Sequence, residues 1–134
     1  MGTRSTISAR CKDGKVRSIY CHWDGYPSNN GAILLKHYNT QEKVEALLAL
    51  GDISSLKEST ECPYGHSFDT PLPHHTVAYG RDRGETGCEA RVYESAYEAT
   101  EKEHERFDYF WDDVRQGWEV RGAFRLTAEL CEQN

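Results

Sequence analysis

Residues 16–31 read VRSIYCHWDGYPSNNG, and where the strand within them stops decides how the rest of the chain is placed. From Val16 to Trp23 the residues are β-branched and aromatic with two-residue alternation, so Ile19, Cys21 and Trp23 fall on one face and Tyr20, His22 and Asp24 on the other. The first set is the more apolar and is expected to face the core. Gly25-Tyr26-Pro27 ends the strand, because proline brings no N–H to a central ladder, and Ser28, Asn29 and Asn30 offer cap oxygens for a short helix over 31–38. Upstream, Ile7, Ala9 and Cys11 alternate and Asp13-Gly14 is a two-residue turn signal, so 5–11 pairs with 16–23 as a hairpin.

Working outward, Asn39-Thr40-Gln41-Glu42 has capping-box spacing with asparagine as the cap and opens a second helix. In it Val44, Leu47 and Leu48 fall at i, i+3 and i+4 before Gly51 stops it. Residues 52–75 carry Ser, Pro, Gly and paired His without periodicity and read as a long loop with an isolated turn around 53–56. Short strands are expected at 76–79 and 90–93, joined through GRDRGETGCE. Ser95-Ala96-Tyr97-Glu98 is another capping box and begins a third helix that runs to residue 105. Residues 107–111 and 118–121 read as a second, aromatic-rich hairpin around DDVRQG, while Phe124, Leu126, Ala128 and Leu130 suit a strand or a helix start equally. Strands and helices do not alternate strictly. The expected architecture is therefore a single α+β domain over 1–134, an antiparallel sheet with two to three helices packed on one face.

Size and charge limit the function classes. At 134 residues, 37% hydrophobic, with eight tyrosines, four phenylalanines and three tryptophans, the chain has the mass and aromatic content for one buried core. No apolar run approaches the roughly 18 to 20 residues that span a bilayer, and the first residues do not have the pattern of a signal peptide. Five cysteines without a CxxC pair suit a reducing compartment, so the cytoplasm is expected. The net charge is −6, and residues 94–113 hold eight acids against Lys102 and Arg106, so that segment alone carries −6. An acidic face disfavours nucleic acid and anionic membranes, which need cations to displace their counterions. It leaves room for a basic protein partner.

Several constellations carry chemistry. Cys21 and His22, as strand neighbours, point to opposite faces and cannot share a proton as nucleophile and base. His22 and Asp24 share a face at the sheet rim, as the acid–base pair of a small phosphate-ester hydrolase would; with Trp23 and Tyr26 they make one side of a ligand pocket. The other side is YGRDRGE at 79–85, in which Arg81 and Arg83 suit phosphate or carboxylate and Tyr79 suits stacking on a base. The competing reading has Asp82 and Glu85 neutralise both arginines. Cys62, His66, His74 and Cys88 hold zinc-type ligand atoms without the two compact pairs of a structural site, so no metal or other cofactor is expected. No Gly-rich phosphate loop, metalloprotease helix or GxSxG elbow is present. For a protein partner the candidate surface is Glu98, Glu101, Glu105, Tyr109, Trp111, Asp112 and Asp113, where an exposed ring beside acids would be an anchor.

On GTRSTI at 2–7, IYCHWDGYPSNNG at 19–31, KVEALLALGDISSL at 43–56 and AYGRDRGE at 78–85, the chain resembles a family of small proteins carried by bacteriophages and prophages. The likeness covers about the first two thirds of the chain and is carried mainly by the HWDGYP block; the loop from Cys62 to His75 stands apart from it. The resemblance implies expression inside a bacterium and brings no catalytic residues. The expected function is a non-enzymatic binding protein, a counter-defence or host-takeover inhibitor that occupies a bacterial protein. The alternatives are a sponge for a nucleotide-like signal held between the HWDGY turn and Arg81/Arg83, the hydrolase on His22 and Asp24, and an interaction or structural protein of phage physiology unrelated to defence; a homo-oligomer is a further expected partner state.

Overall fold

A computed structural model describes residues 2–122 and 125–132. Its strands are β1 (Ser5–Arg10), β2 (Val16–Cys21), β3 (Ile53–Ser55), β4 (Val77–Ala78), β5 (Arg91–Tyr93), β6 (Phe107–Asp112) and β7 (Gly117–Val120). The α-helices are α1 (Ala32–His37), α2 (Gln41–Leu48), α3 (Tyr79–Arg83) and α4 (Ala96–Lys102). A π-helical turn, Pro27–Gly31, leads into α1, and a 3-10 turn, Leu130–Glu132, follows the sheet.

The first hairpin forms as its sequence dictates. Gly14 takes φ +86, Asp13 Oδ1 accepts the Lys15 N–H at 3.0 Å, and the Asp13 carboxylate takes both Arg17 Nη atoms at 3.0 and 2.8 Å. With that turn closed, Ile7 pairs with Ile19 and Ser5 with Cys21. The second hairpin pairs Trp111 with Trp118 and Tyr109 with Val120.

All seven strands join one sheet in the order β4-β3-β2-β1-β6-β7, with β5 alongside the first half of β2. The α+β class holds, but the sheet is mixed: β1 and β6 run parallel, as do β2 and β3. The expected all-antiparallel arrangement was built from the two hairpins, which are local. The two parallel pairs arise from helical crossovers, each of which carries the chain back to the end of the sheet where the preceding strand began, while β5 and β4 pair antiparallel with β2 and β3. The chain leaves β2, passes through α1 and α2, and comes back at β3. It leaves β5, passes through α4, and comes back at β6.

The two crossovers use opposite faces, so the helices do not share one face. On the first face Ile7, Ala9, Ile19, Cys21, Tyr109, Trp111, Trp118 and Val120 meet Leu34, Val44, Leu47 and Leu48 of α1 and α2 in one buried cluster. On the second, α4 lies over β1 and β2, where Val16 and Ala99 are buried outside that cluster. Both faces of β1 are therefore covered, and the polar residues of its second face are paired: Ser8 with the Ser18 hydroxyl at 2.6 Å, Thr6 with Asp108 at 2.7 Å.

Helix limits moved for identifiable reasons. Thr40, not Asn39, is the cap of α2, its hydroxyl accepting the Lys43 N–H. Residues 53–55 form a strand rather than an isolated turn, and 79–83 form a helical turn where the end of a strand at 79 and a connecting loop from 80 were expected. The helix expected to reach 105 stops at Lys102, because Glu103 turns extended and inward to meet Arg91 and Tyr93. The ambiguous alternation at 124–130 gives no strand among the described residues; Phe124 lies outside them.

Candidate functional site

The HWDGYPSNNG junction is built as a joint. Cys21 is fully buried; its sulfur accepts from Asn30 Nδ2 at 3.3 Å, and burial pushes the thiol up to about 11. Asn30, also fully buried, donates to Ser5 Oγ at 3.2 Å as well. Gly25 donates its N–H to the Thr3 carbonyl at 2.8 Å and accepts the Tyr109 hydroxyl at 2.7 Å. Pro27 opens the π-helical turn, where its missing N–H costs nothing. These bonds tie 2–7 to 20–31, so two of the most distinctive stretches of the sequence are one packing unit.

The strand expected to run to Trp23 stops two residues earlier, at Cys21. Asp24 takes φ +55, which breaks the alternation and separates it from His22. His22 Nδ1 meets the Tyr20 hydroxyl at 2.7 Å and its ring meets Trp23 edge-on at 4.6 Å, while Asp24 accepts the Tyr26 hydroxyl at 3.4 Å. Trp23, expected in the core, is 43% exposed. The expected acid–base pair is thus not hydrogen-bonded; each member has a tyrosine for partner.

Arg81 and Arg83 follow the structural reading. Arg81 donates to the carbonyls of Thr60 and Thr76 and to Asp82, pinning the long loop to α3. Arg83 pairs with Glu85 at 3.1 Å and lies 4.5 Å over the Phe68 ring and 5.7 Å over Tyr79. None of the described contacts joins either guanidinium to His22, Trp23, Asp24 or Tyr26, so the pocket drawn between the two segments is not assembled.

Asp82 organises this loop. Its side chain is 1% exposed, accepts the Ala78 N–H at 2.8 Å and stands 3.4 Å from His66 Nε2. Burial raises the Asp82 carboxyl, but Arg81, the Ala78 N–H and His66 outweigh it and hold the group below its ordinary range. His66 is buried with Nδ1 accepting the Leu72 N–H at 3.0 Å and Nε2 on the Thr76 carbonyl at 3.2 Å, so neither ring nitrogen offers a lone pair to a metal. Cys62 lies by Asp82, His74 by Glu58, and Cys88 beside Thr86. These four candidate ligands do not converge, and among the described residues no three His, Cys, Asp or Glu are placed to hold a metal ion. Nor, among them, is any helix long and apolar enough to cross a membrane.

The acidic segment divides by face. Tyr109 and Trp111 are each 1% exposed in the core and cannot serve as outward anchors; Phe110, between them, points to the second face. There α4 lies over β1 and β2 and against β5, and a groove of about 410 Å³ remains between α4 and the β6–β7 hairpin. Small residues floor it at Thr6 and Ser8, Ala96, Ala99 and Tyr97 form the helical wall, and Phe110 and Glu119, cross-strand partners, form the other. Arg121 and Asp108 satisfy one another: Arg121, itself exposed, donates to buried Asp108 at 2.9 Å and to the carbonyls of Thr100 and Glu103. Glu119 has neither hydrogen bond nor ion pair with any described residue. Tyr97 is 75% exposed and donates to Glu101 at 3.2 Å; Glu98 takes the Glu94 N–H at 3.1 Å. Glu105 is exposed nearby, Asp112 caps the β6–β7 turn through the Val114 and Arg115 N–H groups, and Asp113 is half-buried in that turn. Phe110 and Glu119 were missed. The signal was present: Asp108 and Asp112 share their parity with Phe110, which marks the polar side of that strand.

Compared with protein-family models, curated proteins and solved structures, the chain matches none.

Proposed function

We propose that the protein is a non-enzymatic binding protein whose groove between α4 and the β6–β7 hairpin receives a basic, partly apolar segment of a bacterial protein. In the setting that the phage-family resemblance implies, it is a counter-defence or host-takeover inhibitor acting in the cytoplasm of the host. The carrying observation is the groove itself: about 410 Å³, walled by Tyr97 and Phe110, with the Glu119 carboxylate unpaired at its side and Glu98 and Glu101 on the adjoining helix. Rings beside carboxylates that have no cationic partner among the described residues suit a Lys- or Arg-bearing segment, and the charge should speed encounter as well as orient it. The hydrolase alternative draws nothing from the separated His22 and Asp24, and the sponge between the HWDGY turn and Arg81/Arg83 draws nothing from two arginines already engaged.

A photo-crosslinking residue at position 97 tests the reading in infected cells. It should give one discrete adduct with a bacterial protein, weakened by rising salt and lost both in a Glu119→Lys background that keeps the wild-type unfolding midpoint and in a Phe110→Asp background once yields are normalised to folded protein. Equal adducts from position 64, in the far loop, or adducts indifferent to Glu119→Lys would sink it.

A further inference from the structure

We propose that the cavity where β1 and β6 begin, lined by Thr3, Tyr26, Arg106 and Phe107, binds a nucleoside monophosphate, with the phosphate on Arg106 and the base against the two rings. The cavity measures about 360 Å³, within the size range of small-molecule pockets. It is separate from the groove, sharing no lining residue with it.

Its polar groups are donors. The Arg106 guanidinium lies 5.7 Å over the Phe107 ring and forms no ion pair with a described residue, the Thr3 hydroxyl has no partner among them, and the Tyr26 hydroxyl reaches Asp24 only at 3.4 Å. A long bond of that kind is readily given up to a stronger acceptor. Ser5 pairs with Phe107 and the Phe107 N–H donates to the Arg4 carbonyl at 3.3 Å, which fixes the start of β6 against β1. The Arg106 guanidinium is the cavity's cation in a chain of net charge −6. Two of the four lining residues are aromatic, which extends the preference from a bare anion to one carrying a flat ring. The opposing group is Asp24, whose carboxylate stands beside Tyr26.

Calorimetric titration of the full chain with adenosine 5′-monophosphate, adenosine and inorganic phosphate tests this. The nucleotide should bind saturably, and adenosine and phosphate each about tenfold more weakly or worse. Arg106→Gln should lower nucleotide affinity about tenfold without moving the unfolding midpoint, because the side chain is exposed and unpaired. Asp24→Asn should raise it, since it removes the facing negative charge at a φ of +55 that asparagine adopts readily. Absence of saturable nucleotide binding, or Arg106→Gln equal to wild type, overturns the site. Phosphate binding as tightly as the nucleotide overturns the base-binding half. Glu119→Lys should leave the titration unchanged, so failure here and failure of the groove are told apart.

Discussion

Gly25 stands where three segments meet, and the absence of its side chain is what lets them meet. A β-carbon there would lie 2.7 Å from both Ser5 Cβ and the Thr3 carbonyl oxygen, and neither a carbonyl nor a β-carbon fixed by its own backbone can swing away as the end of a flexible side chain would. Gly2 is similar, since a β-carbon would lie 2.4 Å from the His22 carbonyl oxygen. The distinctive GTRSTI and HWDGYP stretches thus owe much of their character to close packing against each other. Gly25→Ala should destabilise the protein by about 1–3 kcal/mol, read as a lowered urea midpoint at unchanged slope. Its neighbour gives the control: Asp24 is exposed and already left-handed, so Asp24→Asn should stay within about 0.5 kcal/mol of wild type. Equal losses at both positions would mean that the turn's backbone conformation, and not the contact at Gly25, sets the stability of the joint.

At the scale of elements, what holds β5 and α4 to the sheet is a polar clamp. Asp52 accepts the Tyr20 N–H at 2.8 Å, just past the point where β5 stops pairing with β2, and takes Arg91 at 3.0 Å. Arg91 in turn grips Glu103 at 2.8 and 2.9 Å, and Glu103 also accepts the Tyr93 hydroxyl. Burial raises the Glu103 carboxyl, but Arg91 and Tyr93 outweigh burial and hold it below its ordinary range. A carboxyl lowered in the folded state stabilises the fold above its unfolded value of about 4.3, and the contribution is lost as pH falls through the folded value. Glu103→Gln should therefore cost about 1–3 kcal/mol at pH 7, and its gap from wild type should close below about pH 4. Urea unfolding of both proteins at pH 7 and pH 3 measures this, and a gap of the same size at both would remove the charge from the account. Sequence legibility follows the same division. The two hairpins, the second helix and the Ser95 cap, with its hydroxyl accepting the Glu98 N–H at 3.1 Å, were legible because turn chemistry, caps and periodicity act over a few residues. The parallel pairs, the early end of α4 and the Asp82 hub were not, because each depends on partners far along the chain, as Glu103 on Arg91 and Arg81 on Thr60. The candidate site was half legible: the acidic, aromatic segment was found, but choosing Tyr109 and Trp111 over Phe110 required knowing which face α1 and α2 cover.

For the whole molecule, the decisive feature is that its two crossovers are unequal. The one through α1 and α2 seals the first face, with Trp111 and Trp118 meeting edge to face at 5.4 Å. The one through α4 is a single helix of seven residues, which shields β1 and β2 and leaves the second face of β6 and β7 open. One strand therefore presents a sealed surface and a usable one at successive residues, and the difference is measurable. Tyr109 is 1% exposed and its hydroxyl donates to Gly25 across the core, so Tyr109→Ala should cost about 3–5 kcal/mol and lower the amount of folded protein. Phe110, half-buried on the groove wall, has less to lose, and Phe110→Ala should cost about 1 kcal/mol while removing most of the adduct formed from position 97. Unfolding midpoints and adduct yields measured on the two variants should rank them in opposite orders, once yields are normalised to folded protein. If Phe110→Ala keeps the full yield, the open half of the sheet is not where the partner sits, whatever the charge around it.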